Sequence, residues 1–182
     1  MIAAMSANGF IALTKFGAWA LTGASSMLAE AVHSVADTGN QALLLFGGSI
    51  ILFSLGGLFA LYEAFPKYEE VVGGHPNELL ESGWWWVPVV VLVAAIIAES
   101  LSFRTAIHES IPAKGNQSWA RFVRTAKSPE LPVVLLEDAA ALLGLVFALL
   151  GVGMTILTHN GLWDGAGTAL IGLLLIAVAI TL

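Results

Sequence analysis

The stretch SSMLAEAVHSVADTGNQALLLF, Ser25 to Phe46, sets three ionisable side chains, Glu30, His33 and Asp37, into a run otherwise apolar enough to cross a bilayer. A spanning helix needs about 20 mostly apolar residues. Spacings of three and four residues bring Glu30, His33 and Asp37 onto one helical face. An ionisable group at membrane depth costs on the order of 2.5 to 3.5 kcal/mol on insertion scales, and such groups generally turn inward and mark a working site. Three on one face therefore predict a helix packed inside a bundle, with its polar stripe pointing at something charged.

Working outward, apolar stretches of similar length recur on both sides. The expected spans are Met1 to Leu21, Ser25 to Phe46, Gly48 to Phe65, Trp84 to Ile107, Leu131 to Leu157 and Gly165 to Leu182. The chain is 58% hydrophobic and only 11% charged, with a mean hydropathy of +0.86. Ordinary soluble domains carry about 25% charged residues, so the fold class expected is an all-α polytopic membrane protein with six transmembrane helices and no soluble domain. The opening run lacks a basic start and a small-residue cleavage site, so it is expected to be a retained helix and not a signal peptide. A net charge of −6 argues against nucleic acid as a partner.

Two polar interruptions set the expected topology. Glu69, Glu70, Gly73, Gly74, Pro76, Asn77, Glu78 and Glu81 form an acidic, turn-rich loop that leads into Trp84, Trp85 and Trp86, an interfacial aromatic belt. The second interruption gathers Lys114, Arg121, Arg124 and Lys127 just after Arg104, five of the seven basic residues. The positive-inside rule places it in the cytoplasm. Six spans then put both termini there too. One segment is cramped: Ser25 to Phe65 holds no lysine, arginine or proline, and only Gly47, Gly48 and Ser49 offer a turn. A polar loop is expected to be missing at that point, and a soluble tail beyond Leu182.

With no cysteine in the chain, metal chemistry would rest on His, Asp and Glu. His33 and Asp37, one turn apart, make half of a tetrahedral zinc site, since zinc accepts imidazole nitrogen and carboxylate oxygen. The other half is expected from PELPVVLLEDAAALLGLVFALLG, where Glu137 and Asp138 interrupt an apolar run. Neighbours on a helix point about 100° apart, so one of the pair is an expected ligand and the other fixes the imidazole or accepts its proton. Geometry alone leaves open which is which; the full ligand set expected is His33, Asp37 and Asp138, with Glu137 the fourth ligand or a partner behind the imidazole. Such ligands bind metal only after losing protons, which couples metal movement to proton movement. Glu30 is placed on the entry path, and Glu99 in a polar network or proton route. Lys15 is expected to pair with a carboxylate or reach the interface, Asp164 to cap the last helix, and Gly47, Gly48, Gly56 and Gly57 to allow close helix packing. His75, His108 and His159 are expected in solvent. The competing reading is an interhelical hydrogen-bonded pair that only stabilises the bundle.

The run TGASSMLAEAVHSVADTGNQALLLFG resembles the first to second helix of cation diffusion facilitators, in which a HxxxD pair on the second helix binds the transported ion. LFSLGGLFALYEA, LPVVLLEDAAALLGLVFALLG and WDGAGTALIGLLLIAVAI look like the third, fifth and sixth helices of that family. The resemblance implies a six-helix domain, a homodimer embedded in lipid, and export of zinc from the cytoplasm in exchange for protons, without enzymatic chemistry. It departs from the family at Val134, where most relatives carry a His or Asp four residues before Asp138. That leaves a Glu-Asp pair, and keeps manganese, iron, cobalt or nickel open as cargo, beside a non-transporting membrane scaffold. The resemblance also implies a loop between helices two and three and a cytoplasmic domain of ferredoxin-like fold after helix six, both expected to be missing from this stretch of sequence.

Overall fold

The computed structural model describes residues 2–45, 51–126 and 130–181. The expected turn at Gly47 to Ser49 and the basic residue Lys127 lie outside the described residues. Among those described, every regular element is a helix. Six are long: α1 (Ile2–Thr22), α2 (Ser25–Leu45), α3 (Ile51–Val72), α5 (Trp86–Lys114), α7 (Glu130–Thr158) and α8 (Leu162–Thr181). Two are short, α4 (Glu78–Glu81) and α6 (Trp119–Thr125), and each starts at a side-chain cap: Asn77 accepts from Leu79 N at 3.0 Å and Ser118 from Arg121 N at 3.3 Å. Of the described helices, α5, α7 and α8 are long and apolar enough to cross a membrane by length and composition.

Both polar interruptions are more helical than expected. Helix α3 carries Pro66 and continues through Glu69 and Glu70 to Val72, with Lys67 paired to Glu70 at 2.9 Å in its last turns. Helix α5 runs past Arg104 to Lys114 with Pro112 inside it. Charge density marks where a chain leaves the apolar zone, but it does not stop a helix whose backbone bonds are already satisfied.

The burial pattern is the reverse of a soluble protein's. Val90, Val93, Ile97 and Leu101 on α5, Leu143, Val146 and Leu150 on α7, and Leu173 and Ile180 on α8 face outward. Lys15, Glu30, His33, Asp37, Glu137, Asp138 and Asp164 are buried. So much outward apolar surface matches a lipid surround and would be a liability in water. Trp84, Trp85 and Trp86 are about half exposed at one end of the bundle.

Helix α2 sits in the middle, packed against α1, α3, α7 and α8. Small residues allow the closest approaches. A Cβ on Gly57 of α3 would lie 2.9 Å from the Gly172 carbonyl oxygen of α8, and one on Gly167 of α8 would lie 2.9 Å from that of Phe147 on α7. No side chain larger than hydrogen fits at either place, so α8 can touch both neighbours backbone to backbone, as membrane helices do in place of hydrophobic collapse. Gly56 is in ordinary contact, and Gly47 and Gly48 lie outside the described residues.

The turn between α1 and α2 is two residues long. Gly23 takes φ +64° and returns its N–H to Trp19 O at 2.7 Å, a glycine C-terminal cap. Asp164 then caps α2 from across the bundle and not its own helix. Its carboxylate accepts from Ser25 N at 2.6 Å, from Ser26 N at 3.1 Å and from the Ser26 hydroxyl, while its own N–H donates to Thr155 Oγ1 at 3.0 Å. One buried residue thereby ties the start of α8 to the start of α2 through its carboxylate and to the end of α7 through its backbone N–H. Asp164→Ala is expected to destabilise the protein by about 2–4 kcal/mol, because it removes an N-cap and orphans buried donors. Thermal unfolding in detergent checks this, and a melting temperature unchanged from wild type would count against the knot.

Candidate metal centre

The knot at Asp164 fixes direction. Helices α2 and α8 both start at that end and α7 finishes there, so α2 and α7 run antiparallel. Their polar residues meet in the interior. His33 is 1% exposed and is flanked by two carboxylates of its own helix: Nδ1 lies 3.6 Å from Glu30 Oε1, and Nε2 lies 3.5 Å from Asp37 Oδ1. The expected alignment of the three residues is thus met at the level of side-chain atoms. Phe53 of α3 stands edge-on to the imidazole, with ring centroids 6.3 Å apart.

The cation anchoring this stripe comes from α1. Lys15 is 3% exposed, and its Nζ donates to Glu30 Oε2 at 2.9 Å, to Ser34 Oγ at 2.8 Å and to Glu30 O at 3.4 Å. Among the described residues, neither ring nitrogen of His33, nor Glu30 Oε1, nor Asp37 Oδ1, has a hydrogen-bond partner, although all are buried. Unpartnered polar atoms inside a protein are rare. Here four of them lie side by side.

On α7, Glu137 and Asp138 are 2% and 6% exposed. Asp138 Oδ2 accepts from Ser102 Oγ of α5 at 3.0 Å. Asp138 is near enough to Asp37 of α2, and both near enough to Glu99 of α5, one turn before Ser102, for their charges to be felt, and Lys15 is felt at Asp37 and Glu99 as well. The axial register agrees. Gly144 of α7 faces Glu30 and His33: a Cβ there would collide with Glu30 Oε1 and come within 3.4 Å of His33 Nδ1. At 1.5 Å per residue, Asp138 lies about 9 Å along α7 from Gly144, and Asp37 about 6 Å along α2 from His33, in the same direction. The two carboxylates therefore lie at similar depth. The structure does not draw three or more of the described His, Asp and Glu side chains into one closed cage. It offers an imidazole and a carboxylate on one helix with further carboxylates close by.

Three participants were not singled out from the sequence. Ser34 and Ser102 are ordinary helix residues, visible in hindsight only through their spacing from Glu30 and Glu99. Gly144 was one small residue among many. Of the two expectations for Lys15, an ion pair or a reach to the interface, the structure has the ion pair, with a partner that the sequence could not name.

A bundle with lipid-facing apolar surface and a buried interior stripe of imidazole and carboxylate side chains is that of a polytopic ion transporter's membrane domain. The family comparison agrees: a model described as the cation efflux transmembrane domain matches residues 1–52 and 48–182. The chain belongs to the cation efflux family, the cation diffusion facilitators, whose members are transporters and not enzymes. Among curated relatives it is 36% identical over 202 residues to a proton-coupled zinc antiporter, SLC30A9, mitochondrial, of Xenopus laevis, covering 98% of this chain and 36% of that protein. Its human counterpart is 32% identical over 198 residues, covering 96% of this chain and 34% of that protein. Metal tolerance protein C4 of Arabidopsis thaliana is 28% identical over 203 residues, covering 98% and 44%. The chain thus spans well under half the length of these relatives.

Proposed function

We propose that this chain is the membrane domain of a divalent metal cation transporter that carries zinc out of the cytoplasm in exchange for protons. The carrying observation is the imidazole of His33, buried between two carboxylates with neither ring nitrogen hydrogen-bonded among the described residues. A neutral imidazole has one N–H, so at least one nitrogen turns a lone pair toward a carboxylate oxygen. That contact is repulsive until a cation enters it. The names of the zinc antiporter relatives support the same cargo and the same coupling ion.

His33 and Asp37 supply the first two ligands, Asp138 the third, and Glu137 or water the fourth. The bundle has six spans, α1, α2, α3, α5, α7 and α8, with the basic α5–α7 connection and both termini in the cytoplasm. The loop between α2 and α3 is missing from this chain. Rocking of the helices exposes the site to each side in turn, and the protein works as a homodimer.

One imidazole among several carboxylates also suits harder ions, so manganese, iron, cobalt and nickel are the competing cargoes. Proteoliposomes carrying the protein and a zinc-sensitive dye, under an imposed pH gradient, make the test. Zinc should accumulate on the acidic side, with counter-movement of protons. Accumulation of manganese in preference to zinc would reassign the cargo, and no gradient-dependent flux of any divalent ion would favour a scaffold.

A further inference from the structure

We infer that Lys15 and Glu30 are positioning residues that dedicate the Nδ1 side of His33 to the protein, leaving Nε2 for the metal. This inference rests on the transport reading above and names which atom of the site faces the ion. The starting fact is a symmetry that the structure breaks. His33 has a carboxylate oxygen at 3.6 Å on one side and another at 3.5 Å on the other, so ring geometry alone gives no reason for the ion to choose either nitrogen. The surroundings do choose.

On the Nδ1 side the charge is already balanced. Glu30 Oε2 holds the Lys15 ammonium at 2.9 Å, and that ammonium is fixed further by Ser34 Oγ and Glu30 O. Lys15 and Glu30 are 3% and 0% exposed, so neither can leave for water without opening the bundle. Behind Glu30 stands Gly144, whose missing side chain is what gives the carboxylate its room. A divalent ion placed between Glu30 and Nδ1 would meet a cation one carboxylate away, repelled at short range in a low-dielectric interior. The Glu30 Oε1 atom can instead accept the Nδ1 proton. The present separation is about 0.4 Å beyond hydrogen-bond range, and such contacts tighten when the site fills.

On the Nε2 side no lysine or arginine forms an ion pair with Asp37 among the described residues; Lys15, whose ammonium is held by Glu30 and Ser34, acts on Asp37 only from further off. That side therefore keeps a carboxylate that no ammonium or guanidinium holds directly, which is where a cation belongs. An imidazole whose second nitrogen donates to a carboxylate is the usual support for a metal-bound histidine. It fixes tautomer and ring plane, and its loss typically costs 10–100-fold in metal affinity. The lysine adds a second function here, holding that carboxylate in place and keeping the ion from taking it as a ligand.

The pair variant Lys15→Met/Glu30→Leu tests this, because it removes both charges and leaves no lone buried ion. Cobalt and zinc binding would be measured on the detergent-purified protein, together with the imidazole nitrogen shifts of selectively labelled histidine; His33→Ala identifies the His33 signals among the four histidines. Wild type is expected to show the Nδ1–H tautomer without metal and Nε2 coordination with it. The pair variant should lose that tautomer preference and bind metal about 10–100-fold more weakly while remaining monodisperse. Lys15→Met/Glu30→Gln, which also removes both charges but keeps the shape and an acceptor oxygen at residue 30, should fall between the two and serves where the first pair variant does not fold. Unchanged tautomer and affinity in both variants would overturn the inference while leaving transport intact. Unchanged metal binding in His33→Ala would instead overturn the site itself.

Discussion

His33→Ala or Asp37→Ala is expected to reduce zinc flux in proteoliposomes to about a hundredth of wild type or less, since loss of even the partner behind a metal-bound histidine costs about 10–100-fold in affinity. Removing a ligand costs at least as much. The reason lies in how little replaces either side chain. His33 supplies the imidazole between Glu30 and Asp37, and Asp37 Oδ1 stands 3.5 Å from its Nε2. Water entering the space left by His33 could bridge the carboxylates, but it brings no soft donor. The purely structural alternative makes an opposite forecast. If the pair only fastened helices together, the variants would melt earlier but keep carrying zinc in whatever fraction remained folded. Flux per folded molecule therefore separates the two, with Asp37→Asn as a control that keeps volume and polarity. A pH effect accompanies it. The ligands bind metal only as neutral imidazole and ionised carboxylate, so binding releases protons and zinc affinity in the wild type should rise with pH. Calorimetry in buffers of different ionisation enthalpy counts the released protons, and that count should fall in both variants.

What was legible in the sequence follows from the bilayer itself. Length and apolarity place helices in order, because nothing else satisfies backbone groups in hydrocarbon, and the expected all-helical fold is what the structure has. Ionisable residues inside such runs are rare enough that Glu30, His33, Asp37, Glu137 and Asp138 stood out without any knowledge of partners. The partners themselves were hidden. Periodicity puts Glu30 on a face, but only packing brings Lys15 of α1 to it, and only packing sends the Asp164 carboxylate to Ser25 and Ser26 of α2. An aspartate ahead of GAGT reads as a cap for the helix that follows, since capping is ordinarily local. Here the neighbouring helix start was the better customer for the same carboxylate. Helix ends were blurred for a related reason: α3 and α5 continue into charged sequence that a hydropathy reading assigns to loops.

Gly144→Ala is expected to be destabilising by about 1–3 kcal/mol, the usual range for forcing an extra methyl into a packed interior. It should also weaken metal binding, by about 10–100-fold if the carboxylate behind His33 is displaced. Backbone propensity alone forecasts the reverse, because alanine is favoured over glycine inside a helix by about 1 kcal/mol. The sign of the result therefore reports which effect wins. The added methyl would occupy the place of Glu30 Oε1 and press within 3.4 Å of His33 Nδ1. A carboxylate at the end of a free side chain would swing aside at little cost. This one is 0% exposed and held by Lys15 at 2.9 Å through its other oxygen, so moving it means breaking that ion pair, turning it off the imidazole, or parting α2 from α7. Gly153, nine residues further along the same helix, is the internal control, with nothing within 4 Å of its would-be Cβ. Gly153→Ala should leave metal binding alone and hold or raise the melting temperature. Matching melting and binding behaviour in the two alanine variants would mean that Glu30 and His33 do not pack against this turn of α7. The shared depth of Asp37 and Asp138, which takes its register from Gly144, would then lose its basis.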